Sequence, residues 1–215
     1  MSALPRPRPS PVVLEGRYAR LEPLSPAHAE ALFRASSADA GRFDFLPDPP
    51  PGSVGDMQAW IERSLRNAEY LFHAVVDRTS GKAEGRQSLM RIVPEHGVIE
   101  IGNILWGPAI ARTRVATEAF YLAARYVFDE LGYRRFEWKC NDRNEPSKAA
   151  ALRFGFTFEG VFRQHMWVKG ANRDTAWFAI IDRDWPAIRA GFERWLDPSN
   201  FDSAGRQNAR LVIRE

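Results

Sequence analysis

The chain has 215 residues, of which 45% are hydrophobic and 27% charged. That is enough apolar material for one folded domain and too much for a chain disordered throughout. A net charge of +3 and an isoelectric point near 9.2 suit an anionic ligand, but fall short of the dense basic surface of a nucleic-acid binder. A single cysteine, Cys140, excludes an internal disulfide and a thiolate metal cluster. No apolar run approaches the roughly 20 residues that span a bilayer. The expected location is the cytoplasm, and no metal is expected.

Met1–Pro11 alternates proline and arginine without an apolar stretch, so residues 1–11 read as a flexible leader and not a secretory signal. Arg17–Leu24 predicts a first strand. Ser25 and Pro26 then open a helix, since proline suits a first helical turn. Asp48–Gly55 carries three prolines and two glycines and predicts a loop. Met57, Trp60, Ile61 and Leu65 have helical spacing within Asp56–Glu69. Leu71–Val76, Gln87–Val93 and Val98–Trp106 read as three strands joined by turns. Thr113–Leu131 is an amphipathic helix stopped by Gly132.

A strand over Tyr133–Asn141 follows, then a helix over Glu145–Phe154 capped by Asn144 or Ser147. Two strands, Phe156–Val168 and Thr175–Ile181, precede a last helix from Asp184 to Trp195. The order predicts one α+β domain over residues 12–196 and a polar tail over 197–215. Strand, helix, strand across Val98–Asn141 implies two parallel neighbours with a crossover helix. The meander before it implies antiparallel pairing, so the sheet is mixed.

The chemistry concentrates in residues 98–163. A strand ends at Trp106 and a helix begins near Thr113. A helix start offers unpaired N–H groups and the positive end of the helix dipole, a natural seat for a diphosphate. Arg112 and Arg114 flank it, as anion ligands or as solvated helix-end residues.

Three stretches resemble the acetyl-coenzyme A-binding core of the GNAT superfamily. They are Ile99–Trp106 with Arg112–Ala119, Leu131–Asn141, and Asn144–Phe156 followed by Glu159-Gly160. The pattern is most similar to the RimJ/RimL type, the ribosomal-protein N-terminal acetyltransferases. The resemblance implies a twisted mixed sheet whose two central parallel strands, Val98–Trp106 and Tyr133–Asn141, splay into a cleft. Acetyl-coenzyme A would lie there. The backbone of Ile104, Leu105 and Trp106 would pair with its pantetheine arm. The helix start, Thr113, Arg114, Val115, Ala116 and Thr117, would hold its diphosphate, and the Asn144 side chain would reach the pantetheine. One departure stands out: aligning the family's phosphate loop so that it ends at Ala116 puts Arg114 where a glycine is usual.

Transfer to an amine needs a neutral amine, a stabilised oxyanion and a proton for the leaving thiolate. The tyrosine that many relatives place seven residues after the loop asparagine is Ala151 here. Ser147, three residues after Asn144, matches a serine proposed as the acid in RimL-like proteins; a helix-capping role is the alternative. Glu100, eleven residues before Ala111, matches the spacing of the basic glutamate in the histone-type branch. Its alternative is a strand carboxylate paired with Arg91. The position of a suggested RimL-type base is Met166. Its neighbour His165 would face away by strand alternation. Without a base, water would serve for an α-amine of pKa about 8.

The acceptor site should be built by the first two helices, their loop and the last hairpin, with Asp44, Trp60 and Arg163 as substrate contacts. Phe43, Phe45 and Trp167 are further candidates there. The acceptor is a protein N-terminus or a small-molecule amine. A non-catalytic acyl-coenzyme A-binding or sensing module is the alternative. Leu211-Val-Ile213 offers an apolar segment for pairing with a second copy in a homodimer.

Overall fold

In the computed structural model, which describes residues 4–213, eight strands form one sheet in the order β1-β2-β3-β4-β5-β6-β8-β7. They are β1 (Leu14–Glu15), β2 (Ala19–Pro23), β3 (Tyr70–Asp77), β4 (Lys82–Val93), β5 (Val98–Trp106), β6 (Arg135–Asn141), β7 (Thr157–Val168) and β8 (Ala171–Ile181). Every neighbouring pair is antiparallel except β5 with β6, as the crossover requires. The helices are α1 (Ala29–Ser37), α2 (Val54–Leu65), α3 (Arg114–Arg125), α4 (Glu145–Arg153) and α5 (Trp185–Leu196). The α+β class and mixed sheet expected from the sequence are present.

The differences from expectation have local causes. β4 starts at Lys82 rather than Gln87 because Gly85 does not interrupt it. A Cβ there would lie 2.6 Å from the Leu105 carbonyl oxygen, so glycine permits close contact with β5. α2 starts at Val54, inside the expected loop, because the Ser53 hydroxyl accepts the Asp56 N–H and caps it. Past Arg125, α3 continues as a wider π-type turn over Tyr126–Glu130.

Two apolar cores lie on opposite faces of the sheet. α1 and α2 cover one with Leu32, Met57, Trp60 and Ile61 against Phe72 and Ala74. The larger core, with α3 and α5, centres on Phe120. Its ring stacks on Phe154 at 4.5 Å and contacts Phe136, Phe156 and Phe192. Full burial of each such ring contributes about 2–3 kcal/mol.

Both termini are tied to this body. In the segment expected to be flexible, the Arg6 N–H donates to the Pro94 carbonyl and the Ser10 N–H to the Tyr126 hydroxyl. Residues 1–3 lie outside the described residues. In the tail, the Trp195 indole donates to Gln207 and to the Ala209 carbonyl, and Phe201 packs edge-on against Trp195. Leu211 and Ile213 pack against the protein's own core, so the segment expected to pair with a second copy is half-buried at home.

Glu118 of α3 locks the first strands to the larger core. It is buried, and its carboxylate accepts the N–H groups of Arg17, Tyr18 and Ala19. A Cβ on Gly16 would sit 2.5 Å from that carboxylate, so the approach needs a glycine. Replacing Glu118 by Ala strands buried donors, and we expect a loss of about 3 kcal/mol. Urea unfolding measures this; a loss below about 1 kcal/mol would show that the strand is held by other means.

Candidate active site

Backbone pairing between β5 and β6 stops halfway. Val98 to Ile101 pair with Arg135 to Trp138, and there the ladder ends. Beyond it β5 stays bonded to β4, with Gly85 opposite Trp106, and β6 stays bonded to β8, with Asn141 opposite Thr175. The two strands therefore part, each held by its outer neighbour. A bulge marks the fork: the three β4 residues from Arg86 to Ser88 face the four β5 residues from Gly102 to Leu105, and Asn103 takes a left-handed φ of 50°. A bulge of this kind bends and twists its strand.

A cleft of about 260 Å³ occupies the fork, lined by Gly102, Asn103 and Ile104 on one side and Lys139, Cys140 and Asn141 on the other. Asn144 and Ser147 reach it from α4. Asn144 is the helix cap: its side-chain oxygen accepts the Ser147 N–H, leaving its amide NH2 for the cleft. The Ser147 hydroxyl is thus not the cap. It accepts the Trp138 indole N–H at 3.0 Å and lines the cleft with the Cys140 thiol. Burial pushes that thiol's pKa up, so Cys140 stays protonated. Ala151, the position of the missing tyrosine, is fully buried in the core.

Glu100 also lines the cleft and is 4% exposed. Its Oε2 lies 3.0 Å from Lys139 Nζ and 3.2 Å from Arg91 Nε. The expected Arg91 pair is present, yet the carboxylate is buried and not exposed. Oε1 lies beside Gly102, 3.5 Å from where a Cβ would stand. Burial raises the Glu100 pKa, against the opposing pull of Lys139 and Arg91. Lys139 also contacts Glu137 at 2.8 Å, and its ammonium lies 3.7 Å from the Trp177 ring centroid.

At the start of α3, Thr113 caps the helix: its hydroxyl accepts the Val115 N–H and its carbonyl the Thr117 N–H. Those two N–H groups are thereby engaged, and the first turn offers those of Arg114 and Ala116. The left-handed residue of the loop is Arg112, at φ 64°, and not Arg114. That conformation costs a non-glycine residue about 1–2 kcal/mol. Arg114 lies inside the helix, so the missing glycine is no obstacle there. Its guanidinium stacks over Tyr18 and Phe201 at 4.3 and 5.1 Å, which binds it to the two chain ends. Arg112 is exposed beside the helix start. Arg153, which sequence reasoning missed, donates to the Thr117 hydroxyl from α4.

The opposite wall of the cleft comes from Phe45, Leu46 and Pro47 of the α1–α2 loop and from His165, Met166 and Arg173 of the β7–β8 hairpin. The two pieces meet: Lys169 at the hairpin tip donates to the Phe43 carbonyl, and Arg42 to that of Trp106. His165 faces the cleft beside Met166, contrary to simple alternation. Gln164 sits at φ 51° where the β7–β8 register slips, and a bulge there breaks the alternation. The His165 ring contacts the Thr175 hydroxyl at 3.0 Å, and burial with nearby Arg173 lowers its pKa.

The three expected substrate contacts fare differently. Asp44 is exposed on the loop, though Phe45 beside it lines the cleft. Trp60 is 8% exposed within the α1–α2 core and borders a separate pocket. Arg163 lies on the outer side of β7 with Gln164 and Asp174, away from the cleft. Trp167 is 75% exposed and does not line the cleft.

Comparison with known proteins agrees with this geometry. Residues 19–157 match the family model described as acetyltransferase (GNAT) domain. A crystal structure of a GCN5-related N-acetyltransferase from Brucella melitensis superposes with a TM-score of 0.95 at 53% identity, covering 97% of this chain and 96% of that one. The "Putative ribosomal N-acetyltransferase YdaF" of Bacillus subtilis (strain 168) is 31% identical over 71 residues, 33% of this chain and 39% of its own length. The Microcin C7 self immunity acetyltransferase MccE, solved in complex with acetyl-CoA and AMP, shares the fold at a TM-score of 0.68 and 23% identity, over 77% of this chain and 93% of that one. With its central strands parted beside a capped helix start, the chain belongs to the GNAT family of N-acetyltransferases.

Proposed function

We propose that the protein transfers an acetyl group from acetyl-coenzyme A to a primary amine, of a protein N-terminus or a small molecule. The observation that carries this is the parting of β5 from β6 after Ile101 and Trp138, beside Asn144 and Ser147. The residues present fit the cofactor. The freed edge of β5 past Ile101, apart from the Gly102 and Trp106 carbonyls that Ser88 and Arg42 hold, offers backbone groups to an amide-bearing arm, and the Arg114 and Ala116 N–H groups with exposed Arg112 suit a diphosphate. Among proteins sharing the fold, MccE is solved with acetyl-CoA. When bound, the cofactor supplies an acetyl thioester.

The chain's own groups have distinct tasks. Backbone N–H groups on the parted stretch of β5 polarise the carbonyl. Ser147 serves as the acid for the departing sulfur: the Trp138 indole donates into its oxygen, which stabilises the charge left when its proton is given up. Glu100 serves as the base, its Oε1 toward the fork and its Oε2 fixed by Lys139 and Arg91. The acceptor enters between the α1–α2 loop and the β7–β8 hairpin. The ribosomal description of YdaF favours a terminal α-amine, which at pKa about 8 is partly neutral near physiological pH.

A thiol-release assay with acetyl-coenzyme A over a panel of peptides and small amines tests this reading. A non-catalytic module would bind coenzyme A and release no thiol. Ser147→Ala should lower kcat by about tenfold or more, the usual range for a lost general acid, with coenzyme A affinity little changed. Unchanged kcat would retire Ser147 as the acid.

Glu100→Gln should lower kcat/KM most near neutral pH, above the raised pKa of Glu100 and below that of the amine; on the acid side wild type also loses its base and the deficit narrows. Raising the pH supplies neutral amine directly, so the deficit should shrink there. A pH profile of the same shape in both proteins would remove Glu100 from the mechanism. Arg112→Ala should weaken coenzyme A about fivefold to tenfold by calorimetry, as loss of one charge-assisted contact does. Arg114→Ala should instead lower the melting temperature. A reversed pattern would place the diphosphate at Arg114.

A further inference from the structure

Arg86 is the most deeply buried cation in the fold, 2% exposed on β4 beneath α2. Its guanidinium lies 3.8 Å from the Trp60 ring centroid. Neither its Nε nor its Nη1 has a hydrogen-bond acceptor, and among the described residues no other side chain leaves two buried polar atoms in that state. By contrast, Lys139 contacts two carboxylates, as does Arg135. Burial pulls the Arg86 pKa down to about 10, which still leaves it charged at neutral pH. A buried cation without acceptors is costly, and cation–π contact offsets only part of that cost.

The arginine borders a pocket of about 330 Å³, distinct from the cleft and separated from it by the Phe43–Asp48 turn. Phe43, Met57 and Trp60 form its apolar wall, and Pro49–Pro51 its rim. A second guanidinium, Arg63, stands exposed at the pocket, also without an acceptor among the described residues. The two carboxylates nearby are turned to other donors. Asp48 accepts the Trp60 indole N–H at 2.9 Å, and Asp56 accepts from Gly52 and Ser53. Its field favours the Arg86 charge, but Asp48 makes no hydrogen bond to it.

We propose that this pocket is an oxyanion site, in which a carboxylate or phosphate group accepts hydrogen bonds from Arg86 and Arg63 against the Phe43 and Met57 wall. An occupant presses on one side of the turn whose other side walls the cleft. The anion is either part of the acceptor or a free small ion. Only the acceptor arm rests on the acetyl-transfer reading; the binding measurement needs no turnover.

Calorimetry and thermal unfolding with inorganic phosphate and with acetate, at fixed ionic strength and with coenzyme A present to fill the diphosphate seat, test the site. Wild type should bind one anion saturably and melt higher. Arg86→Met should lose at least about tenfold in anion affinity, and without anion it should melt no lower than wild type, since an unmatched buried charge is removed. An equal response of both proteins, or no response of wild type, overturns the proposal. Should Arg86→Met fail to fold, the exposed Arg63→Gln decides: a severalfold weaker affinity supports the site, and an unchanged one overturns it. A lower KM for amines bearing a carboxylate or phosphate, lost in the Arg86 or Arg63 variant, assigns the anion to the acceptor. Equal KM values with phosphate binding retained under saturating acceptor assign it to a free ion.

Discussion

Everything in this molecule is arranged around two strands that stop bonding to each other. A parallel pair that parts midway exposes backbone groups that a sheet normally satisfies, each costing on the order of 1–3 kcal/mol if left dry and unpaired. The fork persists because each arm is held from outside. β4 grips the far half of β5 through Gly85 and Arg86, and β8 grips β6 as far as Asn141. The bulge at Asn103 twists one arm away. Trp138, the last residue of β6 paired with β5, is buried against Phe120, Phe154 and Phe156, which fixes the point where the other arm begins to diverge. Separation is thus imposed by rigid neighbours before any ligand arrives, and a ligand with amide groups meets a backbone already prepared for it.

Charge at the fork follows from the same register. Glu100 and Glu137 stand directly opposite each other across the last paired stretch, two carboxylates that repel. Lys139, one strand repeat further along β6, lies between them and contacts both. Arg91 and Arg135 extend the row outward. Glu100 therefore has one oxygen committed and one beside the gap. A carboxylate built this way is held still, is raised in pKa by burial, and has a lysine to absorb part of its charge. Those are the properties wanted of a proton acceptor that must also release its proton between turnovers.

Legibility in the sequence tracked how local each cause was. Helix α3 and its start could be read because Thr113 precedes a clean amphipathic period. Strand–helix–strand order across Val98–Asn141 is enough to require a parallel pair. Family motifs pointed to Ser147 and Glu100, and both line the cleft. What could not be read depended on contacts distant in sequence. Arg114 looked like a phosphate ligand, but Tyr18 and Phe201 claim it from either end of the chain. Trp60 looked like a substrate contact, but its indole is held by Asp48 and its face by Arg86. His165 was assigned to the wrong face because a bulge at Gln164 leaves no mark in a period-two pattern. The positive φ at Arg112 was equally silent, since no glycine announces it.

The two faces of the sheet are committed to different work. On the α3–α5 face, aromatic packing around Phe120 ties α3, α4 and α5 to β6, so the helix start and Ser147 keep fixed positions relative to the fork. On the other face, the far wall of the cleft is a loop and a hairpin joined by the Lys169 to Phe43 hydrogen bond, while Arg42 ties the loop to β5 at the Trp106 carbonyl. Changes there need not disturb the cofactor-side core, because the two cores are separate. On the proposed acetyl-transfer reading, acceptor choice would fall to residues 42–56 and 163–173, where Pro49–Pro51 stiffens one piece and the β7 bulge aims the other. Arg86 sits where these demands meet. It is rooted in the central sheet opposite Leu105, yet it borders the pocket under the α1–α2 loop, so the same strand pairing that holds the fork open also sets an arginine beneath the loop.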